Sequence, residues 1–256
     1  MEAADIAERL SGAQPILFTG AGFSVGARAV DGDPLPSSRQ LRDLLWPIAF
    51  PDAEPDRSTL QDVYDCAVAA DPDRTQQVLE RRLTVDAESL DDSFRCWFAM
   101  PWARHYTLNV DDLCDAVSRR FDLPRPIVSV SALGSPLPAR VDGLLSIHLN
   151  GRMADFPNIT FTHLQYGHRT AQPDPWYQHL AADLATSPAV FVGTSLAEPP
   201  LWQQLALHPG TDDRPPSFIV TTRMPRARRE VLRRLHVEWV PMSASAFAAD
   251  VLPLVR

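Results

Sequence analysis

Pro15-Ile16-Leu17-Phe18-Thr19-Gly20-Ala21-Gly22-Phe23-Ser24 is a compact apolar run that ends in a glycine turn. An apolar stretch this short, without polar alternation and closed by glycine, describes a strand buried on both faces. The turn leaves its backbone uncovered, so amides can approach a phosphate at the start of a following helix. It is not the G-x-G-x-x-G dinucleotide fingerprint. The third glycine, Gly26, comes one position late, and no acidic residue closes a second strand about 20 residues on. Taken alone, the turn reads as a plain strand-to-helix connection.

Working outward, residues 3–10 predict a short helix before the strand. Ser37 and Ser38 offer an N-cap to a helix carrying Leu41, Leu44, Leu45 and Trp46. Apolar residues then recur at helical intervals, as in Leu60, Val63, Tyr64 and Val68, with Asp/Pro breaks between segments. Residues 37–100 therefore read as a helical insertion. Beyond them, strands are expected at 105–108, 127–130, 144–149, 189–192, 218–221 and 237–240, with helices at 176–185, 227–235 and 244–254. Alternating strands and helices predict an α/β fold: a Rossmann-like, doubly wound parallel sheet forming one domain over residues 1–256, with the insertion inside it. Its ligands would lie at the carboxyl ends of the strands.

Composition narrows the classes. The chain has 256 residues, 45% hydrophobic and 22% charged, as expected of an ordinary folded domain. Its longest apolar runs fall far short of the roughly 20 residues a bilayer span needs, so no membrane segment is expected. Met1-Glu2-Ala3-Ala4-Asp5 is acidic where a signal peptide is positive, which predicts a cytoplasmic protein. The formal charge is −8, and every basic side chain other than histidine is arginine. Phosphate neutralisation supplies most non-specific nucleic-acid affinity, so such contact is expected only indirectly, through a partner. Cys66, Cys96 and Cys114 stand far apart without a C-x-x-C pair, which excludes a zinc ribbon on spacing and reads as buried apolar fillers. Arg223, Arg226, Arg228, Arg229, Arg233 and Arg234 read as a solvated helix face.

Three further segments place polar residues at strand ends. Thr107-Leu108-Asn109-Val110-Asp111 follows one predicted strand, where an asparagine amide can hold a ribose hydroxyl or a water and Asp111 can orient it. Ser146-Ile147-His148-Leu149-Asn150-Gly151-Arg152 ends the next, and Val192-Gly193-Thr194-Ser195-Leu196 runs from a third into another glycine turn. Each has a bland reading, a helix cap or a turn. In this order, with strands before them, they resemble the SIR2 (sirtuin-like) family: GAG-x-S, T-x-N-x-D, an x-L-H-G segment and GTSL. The likeness extends over about residues 15–200.

The resemblance implies an NAD+-binding domain. The family's cofactor contacts fall on Gly20, Ala21, Gly22, Ser24, Thr107, Asn109, Gly193, Thr194 and Ser195, and its water- and ribose-holding groups on Asn109 and Asp111. Two departures point away from deacetylases: the four zinc cysteines are missing, and Leu108 stands where those enzymes carry glutamine. The chain is closer to the zinc-free SIR2-like domains of bacterial anti-phage defence proteins, which destroy NAD+. A third departure places Asn150 at the position of the catalytic histidine. A carboxamide has no basic nitrogen, so general-base help is missing there. Three readings stay open: a natural replacement that leaves slow cleavage, an introduced inactivating substitution, or His148 taking over from two residues away.

The expected activity is hydrolysis of NAD+ to nicotinamide and ADP-ribose by an effector domain in anti-phage defence, with NAD+ as substrate and no zinc or other metal. Control by a regulatory sensor subunit or by homo-oligomerisation is expected, without a membrane partner. Two alternatives are a non-catalytic NAD+ or ADP-ribose sensor or scaffold, which Asn150 favours, and an ADP-ribosyltransferase.

Overall fold

The structure is a computed structural model that describes residues 2–134, 141–171, 174–196, 201–202 and 215–255. Its centre is a seven-stranded sheet made of β1 (Ile16–Thr19), β2 (Arg104–Thr107), β3 (Ile127–Ser131), β4 (Leu144–His148), β5 (Ala189–Val192), β6 (Ser217–Val220) and β7 (Val237–Val240). All neighbours are parallel, in the order β3-β4-β2-β1-β5-β6-β7. This is the Rossmann-like α/β architecture that strand–helix alternation predicts. Burial explains the order. β1, β4, β5 and β6 are buried throughout and sit inside the sheet, whereas β3 carries Ser129, Ser131 and a part-exposed Val128 and lies at an edge.

Residues alternate between two apolar layers along each strand. Leu17, Val190, Val192, Phe218 and Val220 face a core completed by α1 (Ala3–Leu10), α5 (Asp92–Ala99) and α6 (Leu113–Arg120). Ile16, Phe18, Phe191 and Ile219 face the other core, closed by α8 (Pro175–Thr186) and by α9 (Arg226–Arg233) through Leu232. The short α10 (Ala244–Asp250) adds Phe247 and Ala248 to the first. No helix among the described residues is long and apolar enough to cross a membrane.

The long helical stretch divides. α2 (Ser38–Ala49), α3 (Leu60–Ala70) and α4 (Pro72–Leu83) bury Leu41, Leu45, Val63, Tyr64 and Leu79 in a third core that also takes Val110 and Ile159. Each helix starts on a side-chain cap: Ser37 accepts from the Gln40 amide, Thr59 from Asp62 and Asp71 from Arg74. α5 instead places Phe94, Trp97 and Phe98 in the core of the sheet.

The direction of winding changes between β1 and β5. After β1 the chain turns toward the first face, where Phe23 is buried, and after β5 toward the second, where Leu196 is buried. At this crossing Gly193 adopts φ +68°, and a Cβ there would stand 2.0 Å from the Phe23 amide nitrogen. Gly193→Ala is expected to lower the unfolding free energy in urea by about 3 kcal/mol or more. Gly167→Ala, in α7 (His163–Thr170) with nothing within 4 Å of the added carbon, is expected to raise it by about 0.5–1 kcal/mol. Similar losses for both would contradict the crowding at the crossing.

Candidate functional site

The turn after β1 is shaped by the chain's own contacts. It forms a six-residue 3-10 helix, Ala21–Gly26, where the sequence predicts the N-terminus of an ordinary α-helix. The reason is its surroundings: the Gly22 amide donates to the Gly193 carbonyl at 2.9 Å and the Phe23 amide to that of Gly20 at 2.8 Å. A Cβ on Gly20 would lie 2.7 Å from the Gly193 oxygen, and one on Gly22 3.0 Å from the Gly193 Cα. Glycine is required here because two backbones touch. Phe23 fixes the turn from below, its ring 5.7, 5.6 and 6.2 Å from those of Phe94, Trp97 and Phe98.

The end of β2 is tied to this turn by a polar chain. Asn109 Nδ2 donates to the Gly20 carbonyl at 3.1 Å and to Ser24 Oγ at 2.9 Å. Ser24 Oγ donates in turn to Asp111 Oδ2 at 2.9 Å, and the Leu113 amide donates to Asp111 Oδ1 at 3.2 Å. Thr107 Oγ1 accepts from the Asn109 amide at 3.1 Å, which sets the bend that brings Asn109 inward. All four side chains are buried. Burial pushes the Asp111 carboxyl up to about 6 and Asp112 adds to the shift, while the Ser24 and Leu113 hydrogen bonds oppose it.

The end of β4 lies behind Asn109. The His148 Nδ1–H donates to the Asn109 carbonyl at 3.0 Å, and Asn150 Nδ2 donates to that of Leu108 at 3.0 Å. Both side chains thus reach the segment leaving β2, His148 from the last position of β4 and Asn150 from the turn that follows it. The Nδ1 bond leaves the lone pair on His148 Nε2, which is buried without a partner, as is Asn150 Oδ1. Burial holds the His148 imidazole down at about 4. Arg169 closes this end by donating to the Leu149 carbonyl, pairing with Asp174 at 2.5 Å and lying over the Tyr177 ring.

In front of Asn109 a cleft of about 80 Å³ opens between sheet and helical insertion. Ala21, Ser24, Asn109 and Asp111 line one side, and Leu41, Leu60 and Phe161 the other. The Tyr64 and Phe161 rings, 5.0 Å apart, join insertion to body. The structure therefore gathers Ala21, Ser24, Asn109 and Asp111 around one space. Gly20, Gly22 and Gly193 do not line it: Gly20 is tied to Asn109 through its carbonyl and Gly22 to Gly193 through its amide, and His148 and Asn150 stand one layer back. Thr194 Oγ1 accepts from the Leu196 amide at 2.9 Å, and exposed Ser195 presents only its carbonyl to Arg228, at 2.8 Å.

Several groups escaped sequence reading. His105 bridges three strands: its Nε2 pairs with Thr19 Oγ1 and its Nδ1 with Ser146 Oγ, each at 2.9 Å. Burial, then His148, holds it down at about 3. A histidine inside a strand gives no signal in sequence beyond its type. Arg228 is no free surface charge, since it donates to the Leu196 carbonyl at 2.5 Å and lies over Trp202. It braces Leu196, held at φ 52°. Cys114 is buried and 3.2 Å from Ser146 Oγ, whereas Cys66 is exposed, because α3 turns Val63 and Ala67 inward and Cys66 away. Among the described residues no cluster of three His, Cys, Asp or Glu side chains could hold a metal ion.

Fold and site together define a Rossmann-like α/β protein with an amide, hydroxyl and carboxylate chain across the ends of β1 and β2. No protein-family model matches the sequence, and no curated protein matches it either.

The Asp111 shift has a consequence for stability. With its folded pKa raised, the native state binds more protons than the open chain between about pH 4 and about pH 6, so stability falls as pH rises through that window. Asp111→Asn is expected to raise the unfolding free energy by up to about 3 kcal/mol at pH 8 and to change it little at pH 4. Equal destabilisation at both pH values would contradict burial as the dominant cause.

Proposed function

We propose that this chain is an NAD+ glycohydrolase that cleaves the nicotinamide–ribose bond. The observation that carries the reading is the Gly20–Asn109–Ser24–Asp111 chain, which joins two of the SIR2-like motifs at the carboxyl ends of adjacent strands. In this reading Ala21 to Ser24 border the pyrophosphate, Asn109 faces the nicotinamide ribose, and Asn109 with Asp111 holds a water below C1′. Thr107 and the Gly193–Ser195 turn support that arrangement from beneath and beside it.

Small-molecule sites usually enclose about 300–1,000 Å³, several times the present cleft. Entry of a dinucleotide therefore requires α2 and α3 to draw back from the sheet. These helices share a core largely their own, so they can move as one body. A second chain or a sensor subunit gripping the insertion would control such opening, in keeping with the defence effectors whose motifs this sequence resembles. A cytoplasmic setting fits that role, with NAD+ available there.

A second reading, NAD+ binding without turnover, is favoured by Asn150, which leaves the expected base position without a basic nitrogen. Nicotinamide release by the purified chain separates the two. The glycohydrolase reading expects slow release that Asn109→Ala abolishes, and that Asn150→His, set behind Asn109 and outside the cleft lining, changes only a few-fold. Binding without release in all three proteins would select the sensor, and no NAD+ binding would exclude both.

A further inference from the structure

Asn150 leaves a gap in the chemistry, because a water attacking C1′ must lose a proton. Of the described residues lining the cleft, Asp111 alone carries an ionisable side chain. His148 Nε2 is sealed and unpartnered, and His105 is engaged at both nitrogens by Thr19 and Ser146. Neither lines the cleft. Asp111 is held by two donors, Ser24 Oγ and the Leu113 amide, one on each oxygen. A carboxylate oxygen accepts more than one hydrogen bond, so each keeps capacity for a water.

We propose that Asp111 is the general base of the hydrolysis, taking the role for which Asn150 has no basic atom. The inference rests on the glycohydrolase reading and deepens it. In the step, the C1′–N bond breaks and its electron pair leaves with nicotinamide. The water oxygen bonds to C1′, and the water proton passes to the Asp111 carboxylate, which later releases it to solvent. NAD+ and water thus give nicotinamide, ADP-ribose and one proton.

The surroundings suit this work. The groups bearing on Asp111 are Ser24 from the β1 turn, with the Leu113 amide, Asp112 and Cys114 from the start of α6. No guanidinium is among the causes that move it, so burial keeps the carboxylate more basic than an exposed one, near 6. A base of that strength is mostly unprotonated at neutral pH yet still accepts a proton, whereas His148, at about 4, is weaker.

The test is nicotinamide release from pH 4.5 to 8.5 by the wild-type chain, Asp111→Asn and Ser24→Ala, with the NAD+ dissociation constant measured at each pH. Carbon NMR of the aspartate carboxyl groups in the free protein would locate the Asp111 midpoint independently. Wild-type kcat/KM, which reports the free enzyme, is expected to rise about tenfold per pH unit and to level off near the NMR midpoint. Asp111→Asn is expected to lose this limb and about 10²–10⁴-fold in kcat, with NAD+ affinity changed only a few-fold. Ser24→Ala removes a donor to the carboxylate and is expected to move the limb to higher pH. An Asp111→Asn enzyme that keeps the limb and most of its rate would overturn the assignment. NAD+ bound without release at any pH overturns the base while leaving the binding site, and no binding overturns the reading beneath it.

Discussion

The backbone contact between Gly22 and Gly193 is the constraint on which the site depends. One amide-to-carbonyl bond of 2.9 Å joins the turns after β1 and β5 where the winding of the sheet changes direction. Side chains on either residue would push the turns apart, and Gly193 also needs a left-handed backbone. With the turns clamped, the Gly20 carbonyl faces Asn109, and Ser24 falls between Asn109 and Asp111. Phe23 among the α5 aromatics sets the depth of the turn, so the α5 core and the polar chain above it are positioned by the same few residues.

The polar chain is costly to build. Asp111 is buried with two donors and no positive partner, an arrangement that disfavours its charge. His148 and Asn150 each leave one buried polar atom unpaired. Such groups concentrate where a fold gives up stability for chemistry. Here they lie within two strand ends of one another, around Asn109, and the apolar insertion covers them.

Much of the fold was legible because it rests on period and punctuation. Apolar runs ended by glycine marked β1 and β5, and the parallel sheet follows from strands alternating with helices. The site residues on β1 and β2 stood out because polar side chains at the ends of buried strands are conspicuous. What the sequence hid depends on which surfaces meet. Nothing in the spacing of Phe94, Trp97 and Phe98 separates α5 from the helices before it, since both cores ask for the same apolar stripe. The 3-10 form of the β1 turn comes from the contact of Gly22 with Gly193, 171 residues further along the chain. The pairing of Arg228 with Leu196, and the sealing of His148, likewise exist only once distant segments are brought together.

Hydrogen–deuterium exchange with and without saturating NAD+ tests most directly whether the space between β1, β2 and the insertion is the ligand site. Slower exchange is expected in peptides covering residues 20–26 and 107–113, together with altered exchange across α2 and α3 as the insertion shifts. Unchanged exchange in these segments, or protection confined to other parts of the sheet, would contradict the assignment of the cleft.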